Sequence, residues 1–152
     1  MMRRDVVAAG AAAALVGCAI SIDASCAETV DVLLAAAPIN AGATGRAALV
    51  ALGERTQVTI IVSGTPPQYA SRPVHLYTFI DEGTCAASVP RTRYALTTRV
   101  LADTSSGGAA GPLTITNVAP ASLDALRRGG YAIRIRTAPA DGDRELFCGD
   151  IR

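Results

Sequence analysis

The sequence predicts an all-β fold: an antiparallel sandwich or barrel of seven or eight short strands, with one short helical turn. Three observations predict it. Apolar and polar residues alternate with a period of two in several stretches, which places one face of each stretch inward. Glycine- and proline-rich breaks separate these stretches at short spacing. Hydrophobic residues make up 50% of the chain but aromatics only 4%, with no tryptophan, so the core is aliphatic. A length of 152 residues accommodates one domain of this kind.

The N-terminus reads as a targeting segment, outside the fold. Arg3 and Arg4 precede an uncharged run of valine, alanine, glycine and leucine over residues 6–16. The run is shorter than the roughly 20 residues that span a bilayer, and it suits the apolar region of a secretory signal. Two cleavage sites compete. Leu15-Val16-Gly17-Cys18 has the form of a bacterial lipobox, which would make 1–17 a lipoprotein signal and Cys18 the lipidated first residue. Ser25-Cys26-Ala27 offers small residues for ordinary cleavage, which would make 1–27 the signal. Lipidation at Cys18 leaves Cys26, Cys85 and Cys148, an odd number. Cleavage after Ala27 leaves Cys85 and Cys148 alone. The expected residence is periplasmic or extracellular, or membrane-anchored if Cys18 is acylated.

Removing Arg3, Arg4, Asp5 and Asp23 with the leader keeps the net charge at +1. That balance gives no field for nucleic acid. Every basic residue is arginine, and the absence of lysine removes Schiff-base chemistry. The remainder divides into an N-terminal strand and linker over 28–44 and a sandwich domain over 45–152.

Residues 30–36 are an apolar run interrupted by Asp31, and 46–52 form a second run ended by Gly53-Glu54. In 56–63, Val58, Ile60 and Val62 alternate with polar residues, and Gly64-Thr65-Pro66-Pro67 stops the strand. Residues 74–80 are rich in β-branched and aromatic types. Tyr94, Leu96, Thr98 and Val100 share one face of the next strand, with Arg93 and Arg99 opposite. A small-residue loop over 104–111 precedes a short strand marked by Leu113 and Ile115. Ser122 is placed to cap a helical turn that buries Leu123 and Leu126 and ends at Gly129. Tyr131, Ile133 and Ile135 alternate with Arg134 and Arg136, and 144–148 is the last strand after the Asp141-Gly142-Asp143 turn.

Several of these segments together resemble the copper/zinc superoxide dismutase-like sandwich and the similar CHRD domains. They are Pro73-Val74-His75-Leu76-Tyr77, Glu82-Gly83-Thr84-Cys85, the Ser-Leu-x-x-Leu stretch at Ser122, Gly130-Tyr131-Ala132-Ile133 and Cys148-Gly149-Asp150-Ile151. The resemblance covers about residues 45–152. It implies Greek-key connections and a disulfide from Cys85 to Cys148. Such a bond closes a loop of about 64 residues, worth roughly 4 kcal/mol by chain entropy. Two free thiols remain the alternative.

The departures from that family bear on function. Its strand His-x-His pair reaches copper, whereas here His75 is followed by Tyr77. A second ligand position falls on Arg136. His75 is the chain's single histidine, too few imidazoles for a copper or zinc pair. No metal and no cofactor is expected, and His75, Tyr77 and Arg136 stand as vestigial ligand positions. A catalytic His75 lacks a local Gly-x-Ser-x-Gly or cysteine nucleophile. Asp81-Glu82 has no EF-hand spacing. Arg93, Arg99, Arg134 and Arg136 are a candidate anion patch, since arginine forks bind carboxylates and phosphates, or else a solvated face paired with acids.

The expectation is therefore an exported, non-catalytic envelope protein with a binding or structural role, its partner an envelope protein or cell-surface component. The competing expectation is an enzyme with His75 as general base, helped by Asp81 or Glu82.

Overall fold

A computed structural model describes residues 27–66, 68, 74–87, 89–97, 101–103 and 110–152. The leader, Cys18 and Arg99 lie outside these residues. Among them the chain forms β1 (Thr29–Ala36), β2 (Gly45–Leu52), β3 (Arg55–Gly64), β4 (Val74–Glu82), β5 (Arg91–Ala95), β6 (Leu101–Asp103), β7 (Ala110–Ala119), α1 (Leu123–Arg128), β8 (Tyr131–Thr137) and β9 (Glu145–Asp150), with 3-10 turns at Pro38–Asn40 and Pro139–Asp141.

The strands make one antiparallel sheet in the order β5-β4-β8-β9-β1-β2-β3-β7, with β6 also on β4. The sheet curls over on itself, so that β1-β2-β3-β7 and β5/β6-β4-β8-β9 enclose the core. Hairpins join β1 to β2, β2 to β3, β4 to β5 and β8 to β9, while β3→β4, β6→β7 and β7→β8 connect strands of different halves.

The all-β expectation holds, and the alternation is its cause. Along β3, Thr56, Val58, Ile60, Val62 and Gly64 are buried and their neighbours are not. Along β4, Val74, Leu76, Thr78 and Ile80 point inward. Leu49, Val58, Ile133, Ile135, Leu146 and Phe147 are fully buried. With one core phenylalanine, the interior is built almost wholly from aliphatic side chains, each contributing about 1.5–3 kcal/mol on full burial. Thr56 at the core edge is satisfied: its hydroxyl donates to Ala121 O at 2.8 Å.

β1 is not an appendage to a 45–152 domain. Its residues 29–34 pair with β2, and Ala35 and Ala36 pair with Phe147 and Cys148 of β9. It is the strand that joins the two halves. Gly149 makes the join possible, because a Cβ there would lie 2.5 Å from Leu33 O.

Three other elements differ from expectation. The strand expected across Arg93, Leu96 and Val100 is split. β5 ends at Ala95, which pairs with Phe79, and β6 begins at Leu101, which pairs with Leu76; Thr98 and Val100 lie outside the described residues. The strand marked by Leu113 and Ile115 extends through Ala119, because Asn117 takes the next inward position at 4% exposure and hides the alternation. The last strand is shifted to Glu145–Asp150. The helical turn is where it is expected, with Ser122 Oγ accepting from Ala125 N at 3.3 Å. Gly129 closes it in a right-handed conformation, and Gly130 (φ +64°) takes the left-handed one.

Candidate functional site

On the outer face of the β4-β8-β9 half, alternation brings His75, Tyr77, Phe79 and Asp81 of β4 beside Arg134 and Arg136 of β8. Tyr77 is opposite Arg136, and Phe79 is opposite Arg134. Cys148 of β9 is opposite Arg134 on the other side. The loop after β4 turns at Gly83 (φ +93°) and lies across this face. Its Cys85 is bonded to Cys148, with Cα atoms 5.8 Å apart. The disulfide implied by the resemblance is therefore present.

Arg134 is 4% exposed and Asp81 1%. Arg134 hydrogen-bonds through Nη1 and Nη2, and its Nε faces Asp81. Nε lies 3.1 Å from Asp81 Oδ2, and Nη1 donates to Glu145 Oε2. Nη2 donates to the carbonyls of Thr84 and Cys85 at 3.2 and 3.3 Å. The Nε contact lacks hydrogen-bond alignment, and among the described residues neither Asp81 oxygen accepts a hydrogen bond. The pair is thus held by charge, strengthened because water is excluded. Asp150 Oδ1 accepts from Cys85 N at 2.7 Å, so the half-cystine loop is held from both sides by side chains.

Arg136 is the second cation. It lies 3.2 Å from Asp143 Oδ2 and 3.7 Å from Asp81 Oδ2. Its guanidinium also lies 5.2 Å from the Phe79 ring centroid, within cation–π range. Two arginines thus face three carboxylates, Asp81, Asp143 and Glu145.

This arrangement bears on each candidate residue. Arg134 and Arg136 do share the outer face, as alternation requires, but a solvated cationic face is not what they form. Both are neutralised, and Arg134 is sealed beneath the Cys85 loop. Arg93, on β5, is exposed and stacks at 5.5 Å on Tyr94. A hydrogen bond with the Tyr94 side chain raises its pKa above the ordinary arginine value. With Arg99 outside the described residues, the four arginines do not assemble into one patch among those described.

His75 is half-buried near the start of β4, in register with Ala102. Asp81 and Glu82 lie at the other end of the same strand. Six residues of extended chain separate His75 from Asp81 by roughly 20 Å. Hydrogen-bond contact between His75 and either carboxylate is therefore excluded by the strand itself.

The positions do not fit a copper or zinc ion. One imidazole is available, and Arg136 places a cation at the position that the resemblance assigns to a second ligand. No group of three or more histidine, cysteine, aspartate or glutamate side chains suited to a metal occurs among the described residues.

Sequence reading missed the buried roles of Asp81 and Arg134. The signal lay in the pairing of Cys148 with Arg134 across β8 and β9. A loop bonded to Cys148 must pass over the neighbouring position. Strand register, which the sequence does not state, is needed to see it.

A scan against protein-family models, a search of curated proteins and a search of solved structures each return no match.

Proposed function

We propose that this chain is an exported, non-catalytic envelope protein whose sandwich serves a binding or structural role. The observation that carries the reading is the Asp81–Arg134–Glu145 cluster under the Cys85 loop. The groups best able to do chemistry on this face are spent on holding the loop. A disulfide supports an oxidising compartment, where such bonds persist. The leader-like residues 1–27 supply the route. On this reading the sandwich resembles the superoxide dismutase and CHRD layout without its metal chemistry.

The test is fractionation of a bacterium expressing the full chain, followed by intact mass of the purified product. A mature form beginning at Glu28 in the periplasm or medium is expected. A diacyl or triacyl adduct on Cys18 would establish the anchored form of the same reading. An uncleaved, reduced chain in the cytoplasm would overturn it.

A further inference from the structure

The outer face of the other half, β1-β2-β3-β7, is built differently. Its middle carries Leu33, Arg46, Ala48, Thr59, Ile61 and Thr116, held in register across the strands. Leu33 is 81% exposed and Ile61 46%. A leucine left this bare on a rigid strand is unusual only when its surroundings are shaped to receive one. Here they are. Leu33 is a ridge between two grooves. One, of about 450 Å³, runs past Arg46, Ile61 and Pro112. The other, of about 420 Å³, runs past Asp31, Ala35 and Gly149.

The charges are arranged the same way. Asp31 and Arg46 flank Leu33 on adjacent strands and lie 3.1 Å apart, both more than half exposed. A surface with a knob beside a hole, and a cation beside an anion, is complementary to itself under a two-fold rotation. We propose that this face pairs with a second copy of the chain. Leu33 of each protomer enters a groove of its partner, and Asp31 of each meets Arg46 of the other.

Other occupants fit less well. The four strands carry no aromatic side chain on which a sugar ring could stack. Its central charges cancel, which gives nucleic acid no field. The projected face of four strands, about six residues long, is roughly 400 Å². That is below the roughly 800 Å² per partner of a standard interface, so the dimer is weak and dissociates on dilution. The inference rests on the binding reading above, whose test is separate: export and processing are scored whatever the oligomeric state.

The experiment is sedimentation equilibrium on the exported, disulfide-intact protein from about 1 µM to 1 mM, the range in which weak interfaces dissociate. A monomer–dimer equilibrium is expected, lost in Leu33→Glu with the melting curve unchanged. Asp31→Arg and Arg46→Asp each place like charges across the two-fold and are expected to be monomeric alone. Mixed, they restore both opposite-charge contacts and are expected to form a heterodimer. A monomer at every concentration overturns the proposal. So does a Leu33→Glu protein that still dimerises, or a mixture that stays monomeric.

Discussion

Arg134 shows how one side chain can change meaning between sequence and structure. Alternation with Ile133 and Ile135 correctly places it on the outer face. It does not reveal that a loop fastened at Cys148 covers that face. Covering removes water from two charges, and the geometry then decides the outcome. The guanidinium is held by hydrogen bonds at Nη1 and Nη2, while its Nε meets Asp81 by charge alone. Asp81, without a hydrogen bond, depends on the arginine. Arg134→Met should therefore leave the buried Asp81 carboxylate facing only Arg136, at 3.7 Å, and cost about 3–5 kcal/mol. Asp81→Asn combined with Arg134→Met should recover part of that loss, because the orphaned charge is gone. Urea unfolding of the two single variants and the double variant measures the coupling. Additive losses would show that Asp81 does not rely on Arg134. The buried pair was illegible in the sequence because it depends on register and on a loop's path, and neither has a local signature.

At the scale of elements, local pattern was most reliable where one residue type serves one role. The β2–β3 hairpin follows from Gly53-Glu54, with Gly53 at φ +63° in a two-residue turn. The cap at Ser122 follows from its hydroxyl. Pattern failed where tertiary context set the role. Asn117 sits inward on β7 although it is polar, and β5 and β6 end and begin where β4 accepts partners. Two glycines separate the local from the tertiary effect. At Gly53 a Cβ meets nothing within 4 Å, so Gly53→Ala pays only the left-handed backbone cost, about 1 kcal/mol. At Gly149 the Cβ would fall 2.5 Å from Leu33 O and 2.7 Å from Val32 Cγ1. That oxygen belongs to the backbone of the central strand and cannot swing away. Gly149→Ala should cost more, about 2–3 kcal/mol, by prising β1 from β9. Thermal melts of the two variants rank them, and equal losses would mean that β1 shifts freely at the join.

For the whole molecule, the class of fold was legible because alternation and breaks recur along nearly the entire chain. The order of strands was not, since pairing β1 with β9 and β4 with β8 brings together residues distant in sequence. The staple acts at this scale. It spans 63 residues from the end of β4 to β9 and so restricts mainly the unfolded chain. Chain entropy assigns it about 4 kcal/mol. Yet the loop is also held by Arg134 on its carbonyls and by Asp150 on Cys85 N. These contacts do not need the S–S bond, so the reduced protein should keep its fold and lose stability. For a domain of this size, 4 kcal/mol corresponds to a drop in Tm on the order of 10 °C. The urea m-value should rise at the same time, because the reduced unfolded chain exposes more surface. Paired melts and urea titrations of the oxidised protein, the reduced protein and the Cys85→Ser, Cys148→Ser double variant read both quantities. A lower Tm with a higher m-value places the effect in the unfolded state. A lower Tm with unchanged m would instead place it in the native loop, and Arg134 and Asp150 would then be passengers of the disulfide rather than independent ties.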